Sequence, residues 1–200
     1  MKNLETPAVK LAVYGAQSTI GNALMVEALA RQFETTLILD DLNSVNARPG
    51  LSTIQGDLYD AISVSHSIAG RDAVIVVLPA SDHDHQFETT FKAITALLDG
   101  LPVAGVKRLL LLGDFTWLDG GDDGMTEPLG HLKERLTASP VVWTLFDAPT
   151  AEVQGDALSS FVSQVIDEVC HADHMHQRIR IHAQPTAAPN PVDVDVMPQP

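Results

Sequence analysis

Leu11-Ala-Val-Tyr-Gly15-Ala-Gln-Ser18-Thr-Ile-Gly21-Asn-Ala-Leu24 runs from an apolar stretch through glycine into the start of a helical pattern. A strand that ends in glycine leaves room for a pyrophosphate to approach the backbone, and the free N–H groups and positive dipole end of the next helix favour its charge. Gly15 and Gly21 keep two positions of a dinucleotide fingerprint, with Ser18 where the middle glycine would stand. The spacing also suits a plain strand-to-helix turn, so the order of the surrounding elements has to decide.

Working outward, Val9 to Tyr14 is a strand, and Ile20, Leu24, Ala28 and Leu29 recur at helical spacing as far as Phe33. Thr35 to Leu39 is a second strand, which completes a βαβ unit with its strands side by side. Asp40 and Asp41 mark its tip, where an adenosine ribose would present its hydroxyls. Two carboxylates there would repel an added 2′-phosphate and favour NAD over NADP; they also suit the start of a solvated turn. Leu51 to Gln55 is a short strand, and Asp60 caps a helix through Ile62, Val64, His66 and Ile68. Asp57, between the two, points into the adenine edge of the same cleft.

Asp72 to Leu78 is an almost unbroken apolar run, the mark of a strand covered on both faces. Leu78-Pro79-Ala80-Ser81 ends it at the carboxyl edge, where open α/β sheets bind ligands. Phe87 to Leu98 is helical, Val106 to Leu112 a buried strand, and Gly113 to Gly124 a long polar loop. Glu127 to Ser139 is a helix, Val141 to Phe146 a strand, and Asp156 to Cys170 a long helix. Arg178 to His182 alternates as an edge strand. The pattern predicts a doubly wound, mainly parallel α/β sheet with helices on both faces, in one domain over residues 1–183. Residues 184–200, with five prolines, form a tail without regular structure.

The chain has 200 residues, 45% of them hydrophobic, enough for a sizeable core. Its formal net charge of -14 opposes attraction to nucleic acid or anionic membranes. No opening segment reads as a signal peptide and no apolar stretch is long enough to cross a bilayer, so a cytoplasmic protein is expected. The single Cys170 excludes an internal disulfide framework and reads as a small packed residue. The apolar helices and the edge strand permit a homodimer.

Taken together, Gly15-Ala-x-x-x-Ile-Gly21, Gly56-Asp57-Leu58, Gly70-x-Asp72-Ala-Val-Ile-Val and Gly105-Val-Lys-Arg-Leu-Leu are similar to the atypical short-chain dehydrogenase/reductases. Within them the chain most resembles the NmrA-like group of NADH-flavin and flavin/biliverdin reductases, over residues 9–182. The resemblance implies a Rossmann domain that binds NAD or NADP and passes hydride to a small planar acceptor such as FMN or a quinone. It implies pyrophosphate contact by Gly15, Gln17, Ser18, Thr19, Ile20 and Gly21, with Asp40 at the ribose and Asp57 at the adenine. Leu78, Pro79 and Ala80 would line the nicotinamide ribose, with Gly113, Asp114 and Phe115 beside the nicotinamide. The chain departs from the family at Ser18, at Gly113-Asp114 where a serine is common, and in the short connection Asp147 to Gly155. It also lacks a Tyr-x-x-x-Lys pair, which excludes proton transfer by a lysine-activated phenol. Flavin reduction needs little beyond stacking and orientation, because the chemistry belongs to the cofactors. A catalytically silent Rossmann module, acting as a redox sensor or interaction partner, is the alternative.

Several further groups have two readings. His131 and Lys133 either face the cleft as donors to a substrate or make a solvated helix face. Trp117 either stacks on a flavin or packs its loop onto the domain. His83 and His85 with Asp82 and Asp84 suit a solvated helix cap better than a metal site, for want of a third ligand. His171, His174 and His176 suit the negative end of a helix.

Overall fold

The computed structural model describes residues 8–45, 48–79, 86–119, 127–148 and 154–180. Its strands are β1 (Lys10–Tyr14), β2 (Glu34–Leu39), β3 (Leu51–Gln55), β4 (Ala73–Val77), β5 (Arg108–Gly113), β6 (Val142–Asp147) and β7 (Gln177–Arg180). Between them lie the helices α1 (Thr19–Ala30), α2 (Ala61–Ser67), α3 (Gln86–Ala104), α4 (Glu127–Ala138) and α5 (Asp156–His171). All seven strands are parallel, in the order β3-β2-β1-β4-β5-β6-β7. The doubly wound sheet expected from the sequence is therefore present.

Successive side chains of a strand leave on opposite faces, and here both faces are covered. Leu11 and Val13 of β1 join a core with Leu24 and Ala28 of α1 and Val162, Val165 and Ile166 of α5. Ala12 and Tyr14 face the other way, into a core with Val64 of α2, Ile94, Leu97 and Leu101 of α3, and Leu132 and Leu136 of α4. Two helices thus cover one face and three the other, which is why β4 and β5 read as continuous apolar runs. Arg31 binds α1 to α5: it donates to Asp167 and to Ser163 Oγ while also pairing with Glu27.

Three local expectations need correction. The helix expected to stop at Leu98 continues to Ala104, because Leu101 stays on the buried face and Pro102 lies in the last turn. Gly105, at φ +74, supplies the stop, with the amide of Val106 returning to the carbonyl of Leu101 at 3.1 Å. Cys170, read as packed, is exposed on α5. The histidine group divides as well. His171 is in the last turn of α5, His174 hydrogen-bonds Glu168 at 2.9 Å, and His176 meets the Trp143 ring edge-on.

Candidate functional site

The strand order reverses between β1 and β4, and at such a switch point the loops leaving the two strands diverge and open a crevice. A cleft of about 310 Å³ lies there. Its floor is the end of β1 and the glycine turn, from Tyr14 to Ser18; Ile38, Leu39 and Asp40 come from β2, Leu58 and Tyr59 from the turn after β3, and Val77, Leu78 and Pro79 from β4.

The turn is held by backbone. Gly15 has φ +75, and a Cβ there would lie 2.4 Å from the carbonyl oxygen of Val77. A Cβ on Gly21 would lie 2.1 Å from the carbonyl oxygen of Gly15. Glycine is required at 15 for the turn to approach β4 and at 21 for α1 to start so close to the turn. Ser18 is the N-cap of α1: its Oγ accepts from the Gly21 amide at 3.0 Å and donates to the Gly15 carbonyl at 2.8 Å. The amides of Thr19 and Ile20 have no acceptor within the helix, since they belong to its first turn. This end of α1 has the makings of an anion cradle, with no side chain needed as its floor. Gln17 and Ser18 line the cleft; Thr19 is exposed beside it, while Ile20 packs into the α1/α5 core.

At the tip of β2, Asp40 lines the cleft and is exposed. Its carbonyl accepts from Gln55 Nε2, and the carbonyl of Asp41 accepts from Ser44 Oγ. Gln17 Nε2 donates to Ser44 Oγ at 2.9 Å, tying the glycine turn to the loop that follows β2. Among the described residues that line the cleft the only charged side chain is Asp40, and the exposed Arg48 follows the loop after β2.

The turn after β3 departs from expectation. Asp57 does not line the cleft; its Oδ1 accepts from the Tyr59 amide at 2.8 Å. Leu58 and Tyr59 line it instead. The signal for Tyr59 was in the sequence: an aromatic between a strand and a helix cap, with no apolar partner at either period. Tyr14 also lines the cleft, and burial pushes its phenol up to about 12, against the lowering effect of a 2.8 Å hydrogen bond with Ser67 Oγ and with help from the charge of Asp57. It holds its proton at neutral pH and cannot replace the missing activated tyrosine.

On the β5 side the expected residues are not brought to the cleft. Gly113 is buried, where a Cβ would lie 3.0 Å from Leu78 Cδ1, so it supports that wall from behind. Asp114 is exposed and accepts from the amide and hydroxyl of Thr116, capping a turn. Phe115 is fully buried, and Trp117 packs against the core, as its packing alternative required. His131 and Lys133 are exposed on α4, with His131 Nδ1 3.6 Å from Glu134. They occupy the solvated face. Ala80 and the segment Asp82 to His85 lie outside the described residues. Among the described residues no group of three His, Cys, Asp or Glu side chains could hold a metal ion, and no helix is long and apolar enough to cross a membrane.

Residues 15–140 match the model of the NAD(P)H-binding family. The match takes in more than half of the chain and includes the glycine turn, Asp40 and the β4 wall. Solved structures with the same fold include a proposed NADH-flavin reductase from Streptococcus pneumoniae, 24% identical with a TM-score of 0.60, over 86% of this chain and 98% of that one. The oxidoreductase ylbE from Lactococcus lactis is 13% identical, with a TM-score of 0.68 over 86% and 90% of the two chains. The Bordetella bronchiseptica enzyme WbmH, solved in complex with NAD+, is 14% identical, with a TM-score of 0.66 over 86% and 75%. At these identities the likeness is one of fold. The chain belongs to the NAD(P)H-binding family, in agreement with its resemblance to the atypical short-chain dehydrogenase/reductases.

Proposed function

We propose that this member of the NAD(P)H-binding family is an NADH-dependent reductase of the NmrA-like kind, acting on a flavin such as FMN, a quinone or a similar planar acceptor. The observation that carries the proposal is the single cleft lined both by the Gly15 turn and by Asp40. Phosphate and ribose recognition need those two features at the tips of adjacent strands. The fit rests on the tight turn that Gly15 and Gly21 alone allow, which sets the first turn of α1 against the cleft. When bound, the reduced nicotinamide supplies the hydride.

What the protein adds is binding and orientation. The first amides of α1 receive the pyrophosphate, and the Asp40 carboxylate accepts from ribose hydroxyls while repelling a 2′-phosphate. Val77, Leu78 and Pro79 form an apolar wall for the nicotinamide half. No proton needs to come from the cleft, which accords with a Tyr14 phenol that keeps its own and with Asp114, His131 and Lys133 serving other contacts. The proposed activity of the Streptococcus pneumoniae protein supports the same class of acceptor. The outward positions of Asp114, His131 and Lys133 also favour a second reading, a silent module that binds dinucleotide and signals it to a partner.

Thermal shift with NADH and NADPH, followed by NADH oxidation with FMN or a quinone, tests both. A larger rise in melting temperature with NADH than with NADPH, together with turnover, is expected. Binding without turnover on any acceptor selects the silent module. No shift with either dinucleotide overturns both.

A further inference from the structure

We propose that Tyr59 is the side chain on which the adenine ring stacks, in the role that the sequence pattern assigns to Asp57. The inference rests on the reading of the cleft as a dinucleotide site and names a residue that this reading does not require. Tyr59 lines the cleft, yet 44% of its surface is exposed. Its neighbour Leu58 packs against the core, which leaves Tyr59 as the part of the turn without a packing task. Its place on the rim of a cleft, rather than its exposure alone, is what marks the ring as available to a flat ligand.

The turn that carries Tyr59 is fixed before any ligand arrives. Asp57 Oδ1 accepts from the Tyr59 amide at 2.8 Å, Ser63 Oγ accepts from the Asp57 amide at 2.8 Å, and Asp60 Oδ2 accepts from the Ser63 amide at 2.8 Å. One oxygen of each carboxylate is thereby held by a backbone amide of its own turn. The ring is presented on a rigid base with two torsions to order, so a flat ligand meets a platform at low entropic cost. An adenine on this ring loses water from the stacked face, and Asp40, which lines the same cleft at the tip of β2, is left for its ribose.

Isothermal titration of the full chain with NADH, AMP and reduced nicotinamide mononucleotide separates this contact from the rest of the site. Tyr59→Ala should weaken NADH and AMP by roughly tenfold, the scale of one base stacked on an aromatic, and leave the mononucleotide within about twofold. Tyr59→Phe should bind all three as the parent does, because the ring and not the hydroxyl is used. An unchanged melting temperature of the free Tyr59→Ala protein establishes that the exposed position is not structural. NADH binding that ignores Tyr59→Ala, or an equal loss of NADH and the mononucleotide, overturns the stack alone. Failure of the parent protein to bind NADH or AMP overturns the cofactor reading as well.

Discussion

Around the tips of β1, β2 and β4 the cleft is walled by backbone and uncharged side chains, with Asp40 as its carboxylate. Among the described residues around the tips of β5, β6 and β7, the charges of Asp119, Asp147, Arg178 and Arg180 are spent on one another. Arg178 donates to Asp147 at 2.9 Å and to Asp119 at 2.7 Å, Arg180 pairs with Asp119 too, and Asp147 Oδ1 also accepts from the Phe115 amide at 3.4 Å. These pairs fasten the loop after β5 to the edge strand. Among the described residues, one half of the sheet keeps a surface on which a ligand can lie, and the other ties a loop to its edge strand by ion pairs. The difference places the candidate dinucleotide cleft in the first half.

The largest effect that bears on this contrast belongs to the second half, at the opposite end of its strands. Arg108 opens β5 and pairs with Glu168 of α5 at 2.8 Å, with both side chains nearly buried. Burial alone would raise the Glu168 pKa, but hydrogen bonds from the ring and amide of His174, together with the charge of Arg108, hold it below the usual carboxylate range. Removing one partner strands a buried charge, so Glu168→Gln should cost about 3–5 kcal/mol in urea denaturation at neutral pH. Because the folded carboxyl titrates below its unfolded value, its stabilisation is present above the unfolded pKa and is lost as pH falls through the folded one. The acid limb of the stability profile should therefore flatten in the variant, with NADH affinity unchanged. A fall in affinity as large as the fall in stability would mean that the two halves are coupled.

Gly21→Ala tests the first half in the same terms. The new Cβ has only backbone in its way, the carbonyl oxygen of Gly15 at 2.1 Å and the Cα of Ala16 at 2.7 Å, so the turn itself must move. A stability loss of about 2 kcal/mol is expected, the scale of overpacking, with NADH affinity falling alongside it. If the protein is destabilised but still binds NADH as before, the cradle is not made by this turn.

The parts of this architecture that could be read in advance are those fixed by chain order. Strand tips, the glycine turn and Asp40 follow from where a parallel strand must end, and the apolar runs of β4 and β5 from coverage on both faces. An end at Leu98 falls short for α3 because Leu97 and Leu101 keep the buried face going to Gly105 across Gly100 and Pro102. Asp57 and Tyr59 are two residues apart, and which of them lines the cleft depends on the conformation of a turn held by several hydrogen bonds. Sequence spacing does not encode that choice. His131 and Lys133 depend on the rotation of α4 about its axis, which Leu132 and Leu136 set by going inward.

The smallest expected effect separates two accounts of Ser18. As a worn fingerprint, serine in place of glycine would keep phosphate away from the backbone. As a cap, it completes the turn: φ is -72 and ψ 159, an extended conformation open to any residue, and the hydroxyl bonds to both glycines of the motif. Ser18→Ala should then cost about 1 kcal/mol and Ser18→Gly only a few tenths of that unit, measured by urea denaturation. NADH affinity should stay close to the parent value in Ser18→Gly if the serine acts only as the cap of α1. A clear gain in affinity would instead identify the serine as an obstruction, and the first half of the sheet would have lost binding strength by the same substitution that gave it a better helix start.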